Sequence, residues 1–90
     1  MSDPASTNNA EFIKAAEDVK NLPNKPSNVE LLALYAHFKQ GINGDNTTAQ
    51  PHMFDLQAKA KWTAWTNLKG TTKEAAQAKY IELVKELQQK

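Results

Sequence analysis

Apolar residues recur at helical spacing in four blocks of this chain, and proline or glycine separates the blocks. The first block is a stripe of five apolar residues, Phe12, Ala15, Ala16, Val19 and Leu22. It ends before Pro23, because proline cannot continue a helix and also restricts the residue before it. Only Tyr80 to Val84 has local strand character, and it lies within a helical stripe. The pattern therefore predicts an all-α fold.

The second helix is expected to begin at Ser27, because Ser27 and Glu30 have the spacing of a capping box. Its apolar stripe consists of Leu31, Leu34, Tyr35, Phe38 and Ile42. Gly41 and Gly44 are expected to break this helix. An irregular connection to about His52 then follows, long enough to span a small bundle, so that the second and third helices run roughly parallel.

The third helix is predicted from about Met53 to Leu68, with Lys69-Gly70 as its end. Its apolar positions are Ala58, Trp62 and Trp65. The fourth helix is predicted to begin at Thr71 or Thr72, since Thr71 and Glu74 again have capping-box spacing. It is expected to bury Ala76, Tyr80, Leu83, Val84 and Leu87.

Length and composition limit what the chain can be. Ninety residues suffice for one domain, which we expect over residues 10–90. The polar segment 1–9 carries no basic leader and no apolar run, so a disordered tail on a cytoplasmic protein is expected. No stretch reaches the roughly 20 apolar residues of a membrane span, so stable membrane insertion is not expected.

The distribution of charge favours an anion-binding surface in the second half of the chain. Residues 46–90 carry seven lysines against four acids, whereas residues 1–45 carry four lysines against six acids. All basic residues are lysines, which argues against a DNA-binding domain that reads guanine through arginine. No nucleic-acid partner is expected.

Catalytic and metal-binding patterns are missing from the sequence. The chain has no cysteine, and His37 and His52 lie far apart with no carboxylate at ligand spacing. Ser27 is better explained as a helix cap than as a nucleophile, and no glycine-rich phosphate loop is present. We therefore expect neither an enzyme nor a metal or cofactor site.

Two clusters of rings and lysines remain as candidate binding residues. At about 100° per residue, Tyr35, Phe38 and Lys39 form one patch on the second helix. Lys61 lies beside Trp62 and four residues before Trp65 on the third helix. These patches fit an anionic, aromatic ligand, but they also fit a core edge with a lysine reaching to solvent. A small adaptor that docks a partner's helix is a further alternative.

The order of these pieces closely resembles the acyl-CoA-binding protein family across residues 10 to 88. The matched positions are Phe12, Ala16, Lys20, Leu34-Tyr35, Lys39-Gln40, Gly44-Asp45, Lys59-Ala60-Lys61-Trp62, Ala64-Trp65, Leu68-Lys69-Gly70 and Tyr80. The resemblance implies a four-helix up-down-down-up bundle that binds one long-chain fatty acyl-CoA without catalysis. A monomeric intracellular carrier and buffer is the expected role.

The resemblance also implies seven ligand-binding residues, Ala16, Lys20, Tyr35, Phe38, Lys39, Lys61 and Tyr80. Tyr35, Lys39 and Lys61 are expected to grip the 3′-phosphate of the ribose. Phe38 is expected to stack on the adenine and Tyr80 to contact the nucleotide end. Ala16 and Lys20 are expected to line the site from the first helix.

Two positions depart from the family pattern. Phe38 stands where the family usually has tyrosine, which keeps the stacking face and loses a hydroxyl. Gln57 stands where many relatives carry a ligand-binding lysine, so one cationic contact is expected to be absent or made elsewhere. The acyl chain is expected near the second and third helices, with Leu31, Met53 and Leu56 as candidates to cover it.

Overall fold

The computed structural model describes residues 3–90 and contains four α-helices. They are α1 (Ala10–Asp18), α2 (Asn28–Asn43), α3 (Leu56–Thr66) and α4 (Lys73–Gln88). Helix α2 packs against both α3 and α4, and α1 packs against α4. No strand occurs among the described residues, and the prediction of an all-α fold is confirmed.

The core forms where α1, α2 and α4 meet. Its buried apolar residues are Phe12, Ala15, Leu34, Ile42, Tyr80, Val84 and Leu87. The Phe12 ring is fully buried and meets the Tyr80 ring edge-on, with centroids 5.2 Å apart. Trp65 is the buried residue of α3, whereas Trp62 and Leu83 are only half-buried. The predicted stripes therefore identify most of the core.

The ends of the first two helices follow local sequence signals. Helix α1 tightens into a 3-10 helix at Val19–Asn21, and extended backbone at Leu22 leads into Pro23. The predicted capping box is present at the start of α2. The Ser27 amide donates to the Glu30 carboxylate at 2.8 Å, and the Glu30 amide donates to the Ser27 hydroxyl at 3.2 Å.

Helix α3 is shorter than the predicted span from Met53 to Leu68. It begins at Leu56, because the Asp55 carboxylate accepts a hydrogen bond from the Ala58 amide and caps the helix there. Helix α4 begins after Thr72, whose hydroxyl accepts from the Ala75 amide. Of the two predicted start residues, Thr72 is the cap.

Gly41 does not break α2, contrary to the prediction. It is helical and buried, and a methyl group at its Cα would lie 3.0 Å from Cγ of Gln77. The glycine therefore serves the close approach of α2 to α4. The helix ends at Asn43 and is followed by Gly44, whose φ of 77° favours glycine.

Of the segment 1–9, for which a disordered tail is predicted, the structure describes residues 3–9, and residues 1 and 2 lie outside the described part. Pro4–Thr7 form a 3-10 helix capped by Asp3, whose carboxylate accepts from the Ala5 amide at 3.0 Å. Asn8 takes up left-handed backbone at φ 56°, a conformation that asparagine tolerates. A local cap thus precedes this short helix. Within residues 3–90, no helix is both long enough and apolar enough to cross a bilayer.

Candidate functional site

Two grooves meet along one face of α2. The α2–α3 groove has a volume of about 570 Å³ and is lined by Asn28, Leu31, Leu32, Tyr35, Gln57, Ala60 and Lys61. The α1–α2 groove has a volume of about 390 Å³, and its lining residues include Ala16, Lys20, Leu34, Tyr35, Phe38 and Tyr80. Leu31 and Tyr35 line both grooves. The two spaces therefore adjoin at Tyr35.

Two ammonium groups from different helices approach the Tyr35 ring. Nζ of Lys39 lies 5.9 Å from the ring centroid, and Nζ of Lys61 lies 5.5 Å from it. The ring attracts both cations through its quadrupole. The two ammonium groups thus place positive charge beside one partly exposed ring, where it attracts an anion. The arrangement therefore suits a phosphate group.

Lys39 also lies against the ring of Trp65, at 5.7 Å from Nζ to the centroid. Trp65 is buried, and its indole N–H donates to the Gly44 carbonyl at 2.9 Å. This hydrogen bond ties α3 to the end of α2. The position of the lysine is thus linked to the packing of the core.

Phe38 and Tyr80 present their rings to the α1–α2 groove from α2 and α4. Their centroids lie 5.6 Å apart, and Phe12 packs beneath both rings, 5.7 Å from Phe38 and 5.2 Å from Tyr80. Phe38 is only half-buried and keeps surface for a ligand. Burial raises the pKa of Tyr80 to about 12, so its hydroxyl stays protonated at neutral pH.

A polar network that the sequence analysis missed fixes the connection after α2. Gln40 is fully buried, and its amide donates to the Asp45 carboxylate at 2.9 Å and to the Thr71 carbonyl at 2.7 Å. Asp45 also accepts from the Gly70 amide at 2.9 Å. The Gly70 hydrogen bond and that from Gln40 hold the pKa of Asp45 below its ordinary value. The apolar periodicity of the sequence does not predict that a glutamine such as Gln40 is buried.

The seven predicted ligand-binding residues all lie at or beside the two grooves. Five of them line the α1–α2 groove, namely Ala16, Lys20, Tyr35, Phe38 and Tyr80. Lys61 lines the α2–α3 groove, and Lys39 lies against Tyr35. Lys20 is exposed, 3.8 Å from the Glu17 carboxylate.

Of the three residues expected to cover an acyl chain, only Leu31 lines a groove. Met53 and Leu56 lie outside both grooves, with 66% and 74% of their surface exposed. In residues 3–90, no group of three or more His, Asp and Glu side chains is placed to hold a metal ion.

Comparison with known proteins places this geometry in a family. The model of the family "Acyl CoA binding protein" matches residues 9–84. The chain is 59% identical over 76 residues to acyl-CoA-binding protein homolog 1 of Caenorhabditis elegans, covering 84% of this chain and 88% of the relative. It is 53% identical over 77 residues to the acyl-CoA-binding protein homolog of Drosophila melanogaster, covering 86% and 90% of the two chains.

The fold agrees with solved structures of the same kind. The crystal structure of Oryza sativa acyl-CoA-binding protein 2 superposes with a TM-score of 0.83 at 43% identity, covering 88% of each chain. The crystal structure of the Moniliophthora perniciosa protein gives a TM-score of 0.81 at 43% identity, covering 87% of this chain and 77% of that one. The predicted family is confirmed, and the chain belongs to the acyl-CoA-binding proteins.

Proposed function

We propose that this protein binds long-chain fatty acyl-CoA esters and serves as their carrier and buffer in lipid metabolism, with no catalytic step. The observation that carries the proposal is the position of Tyr35. Its ring lies where a mainly apolar groove meets an aromatic one, within 6 Å of the ammonium groups of Lys39 and Lys61. A ligand with an acyl chain, a phosphate and a purine matches these three features.

The 3′-phosphate of the ribose is proposed to bind at Tyr35, Lys39 and Lys61. A charge-assisted hydrogen bond contributes about 1.5–3 kcal/mol, so the three residues together supply several kcal/mol. Every CoA ester carries this phosphate, whatever its acyl group. These contacts therefore select the class of ligand and not the length of its chain.

The adenine is proposed to occupy the α1–α2 groove and to stack on Phe38. Stacking of a base on an aromatic side chain contributes roughly 1–3 kcal/mol, and phenylalanine supplies this face without a hydroxyl. Tyr80 contacts the nucleotide end from α4. Ala16 and Lys20 line the groove from α1 and from the turn that follows it.

The acyl chain is proposed to lie in the α2–α3 groove, against Leu31, Leu32 and Ala60. Each methylene that the groove covers contributes up to about 0.8 kcal/mol. The groove thus provides a preference for longer chains on top of the headgroup contacts. Gln57 lines this groove, and its amide offers a neutral hydrogen-bonding partner.

The working unit is proposed to be a monomer in the cytoplasm. Residues 10–90 are proposed as its acyl-CoA-binding domain. The match of the family model to residues 9–84 supports this extent of the domain. Sedimentation of the free and the ligand-loaded protein tests the oligomeric state.

A calorimetric titration tests the proposed function. The purified protein is titrated with a long-chain acyl-CoA, a short-chain acyl-CoA and the matching free fatty acid, each below its micelle-forming concentration. We expect tight one-to-one binding of the long-chain ester, weaker binding of the short-chain ester and no binding of the free acid. Absence of binding to all three compounds would overturn the proposal. The alternative of an adaptor that docks a partner protein through Tyr35, Phe38 and Lys39 would then be favoured.

A further inference from the structure

The segment before the family domain reaches the α1–α2 groove. The family model begins at residue 9, and the N-terminal 3-10 helix at Pro4–Thr7 lies before that point. This helix packs against α1 and α2. Pro4 lines the same groove as Phe38 and Tyr80. The groove wall thus includes Pro4, which is not among the seven predicted ligand-binding residues.

Local hydrogen bonds hold this segment in its place. Asp3 caps the 3-10 helix, and the Thr7 hydroxyl donates to the Pro4 carbonyl at 2.7 Å and accepts from the Asn9 amide at 3.2 Å. The Asn9 side chain then donates to Gln77 of α4 at 2.9 Å. The segment is therefore fixed to the helical bundle at its C-terminal end.

Pro4 has the properties of a preformed contact for a flat ring. Its own ring is apolar and rigid, so no side-chain conformational entropy is lost when a ligand covers it. Pro4 is only half-buried and retains surface for a ligand. The single charged group of residues 3–9 is the Asp3 carboxylate, which is engaged by the Ala5 amide.

We propose that the N-terminal 3-10 helix is a wall of the nucleotide pocket, and that Pro4 makes an apolar contact with the adenine end of the bound CoA ester. This inference rests on the proposed function, because it takes the α1–α2 groove as the place of the adenine. It adds a ligand contact from a segment outside the region that the family model matches. The contact serves every CoA ester equally, since it lies at the end of the ligand that all of them share.

Two variants of the full chain test this inference. Pro4→Gly removes the ring from the groove, and the control Ala5→Gly introduces a glycine one residue later, at an exposed position that does not line the groove. Calorimetry with CoA and with a long-chain acyl-CoA gives the affinities, and thermal unfolding checks the fold. We expect Pro4→Gly to weaken both ligands by about five-fold, the size expected for the loss of one small apolar contact. Ala5→Gly should stay within about two-fold of the wild type.

The outcomes separate this inference from the proposed function. If the wild type binds acyl-CoA and Pro4→Gly binds it equally well, the proposal that the 3-10 helix forms a wall of the nucleotide pocket is wrong. The proposed carrier function is then unaffected. Tighter binding by Pro4→Gly would mean that the segment competes with the ligand, and this also overturns the inference. A loss confined to the long-chain ester would place Pro4 at the acyl chain instead. If the wild type binds neither ligand, the proposed function itself fails.

Discussion

The ammonium group of Lys39 lies 5.7 Å from the ring centroid of Trp65, which joins a proposed phosphate ligand to the buried core. The two residues belong to α2 and α3, so their contact depends on how these helices pack. The same lysine lies 5.9 Å from the Tyr35 ring. The Lys39 ammonium group therefore lies near both the buried ring of Trp65 and the ring of Tyr35 that lines the grooves.

Replacement of Lys39 by alanine should weaken all CoA esters by a similar factor. Loss of one charge-assisted hydrogen bond of about 1.5–3 kcal/mol corresponds to a loss of affinity of about 10- to 150-fold. Calorimetry with esters of two chain lengths measures this factor. Dephospho-CoA, which lacks the 3′-phosphate, should lose little affinity from the same substitution. Lys85→Ala, an exposed lysine of α4 outside both grooves, is the control. An effect on long chains alone would show that the phosphate assignment is wrong.

Replacement of Trp65 should change the stability of the fold and also, through Lys39, the affinity for the ligand. Trp65→Phe keeps an aromatic face but loses the hydrogen bond to the Gly44 carbonyl and some core volume. We expect a fall of about 1–3 kcal/mol in the free energy of unfolding, measured in urea.

Trp65→Leu removes the ring beneath the Lys39 ammonium group. The ratio of affinities for CoA and dephospho-CoA should therefore fall in this variant, whereas Trp65→Phe should largely preserve it. Calorimetry with both ligands measures the ratio. A wild-type ratio in Trp65→Leu would refute the positioning role, whatever the loss of stability.

Gly41→Ala should destabilise the protein although alanine favours helices. The added Cβ would lie 3.0 Å from Cγ of Gln77 and 3.4 Å from Cζ of Phe12. Gln77 cannot move away easily, since its amide donates to the Gly41 carbonyl at 2.8 Å and accepts from Asn9 at 2.9 Å. Overpacking costs about 1–3 kcal/mol against a helix-propensity gain of about 1 kcal/mol.

The expected result for Gly41→Ala is a net loss of up to about 2 kcal/mol in urea unfolding. Ala78→Gly, at an exposed position of α4, measures the propensity difference without the contact. A gain in stability from Gly41→Ala equal to the full propensity difference would mean that α2 and α4 accommodate the methyl group without cost.

Glu30 should contribute an acid-sensitive part of the stability. The hydrogen bond from Lys90 and that from the Ser27 amide lower the pKa of Glu30 to about 2, from a model-compound value of 4.5. Because the folded-state pKa is depressed, this contribution is present above about pH 4.5 and is lost as the pH falls toward 2. Urea unfolding from pH 6 to pH 2 measures it.

Glu30→Gln should flatten the dependence of stability on pH within that window. Lys90→Met removes the largest cause of the shift and leaves the Ser27 amide in place, so it should give an intermediate slope. Equal slopes for the wild type and Glu30→Gln would show that the carboxylate has no role in acid unfolding.

Local signals of the sequence determined where α2 and α4 begin and much of which faces the helices bury. The capping box of Ser27 and Glu30 needs only residues three positions apart, and the apolar stripes need only helical periodicity. Likewise, the patch of Tyr35, Phe38 and Lys39 lies on one helix and follows from its geometry. Lys61 was a candidate from its place beside the tryptophans of α3, and family order then extended the prediction to Ala16, Lys20 and Tyr80. The start of α3 was misplaced, because a cap at Asp55 competes with the apolar pattern before it.

Contacts between elements were decided only by the tertiary structure. The sequence gives no distance between helices, so it could not show that Lys39 of α2 and Lys61 of α3 share the Tyr35 ring, or that Gly41 is needed where α2 meets Gln77. Nor could it show that Pro4 of the N-terminal segment lies in the groove wall. Periodicity determines which face of a helix is buried, whereas packing determines which residues of other elements that face meets.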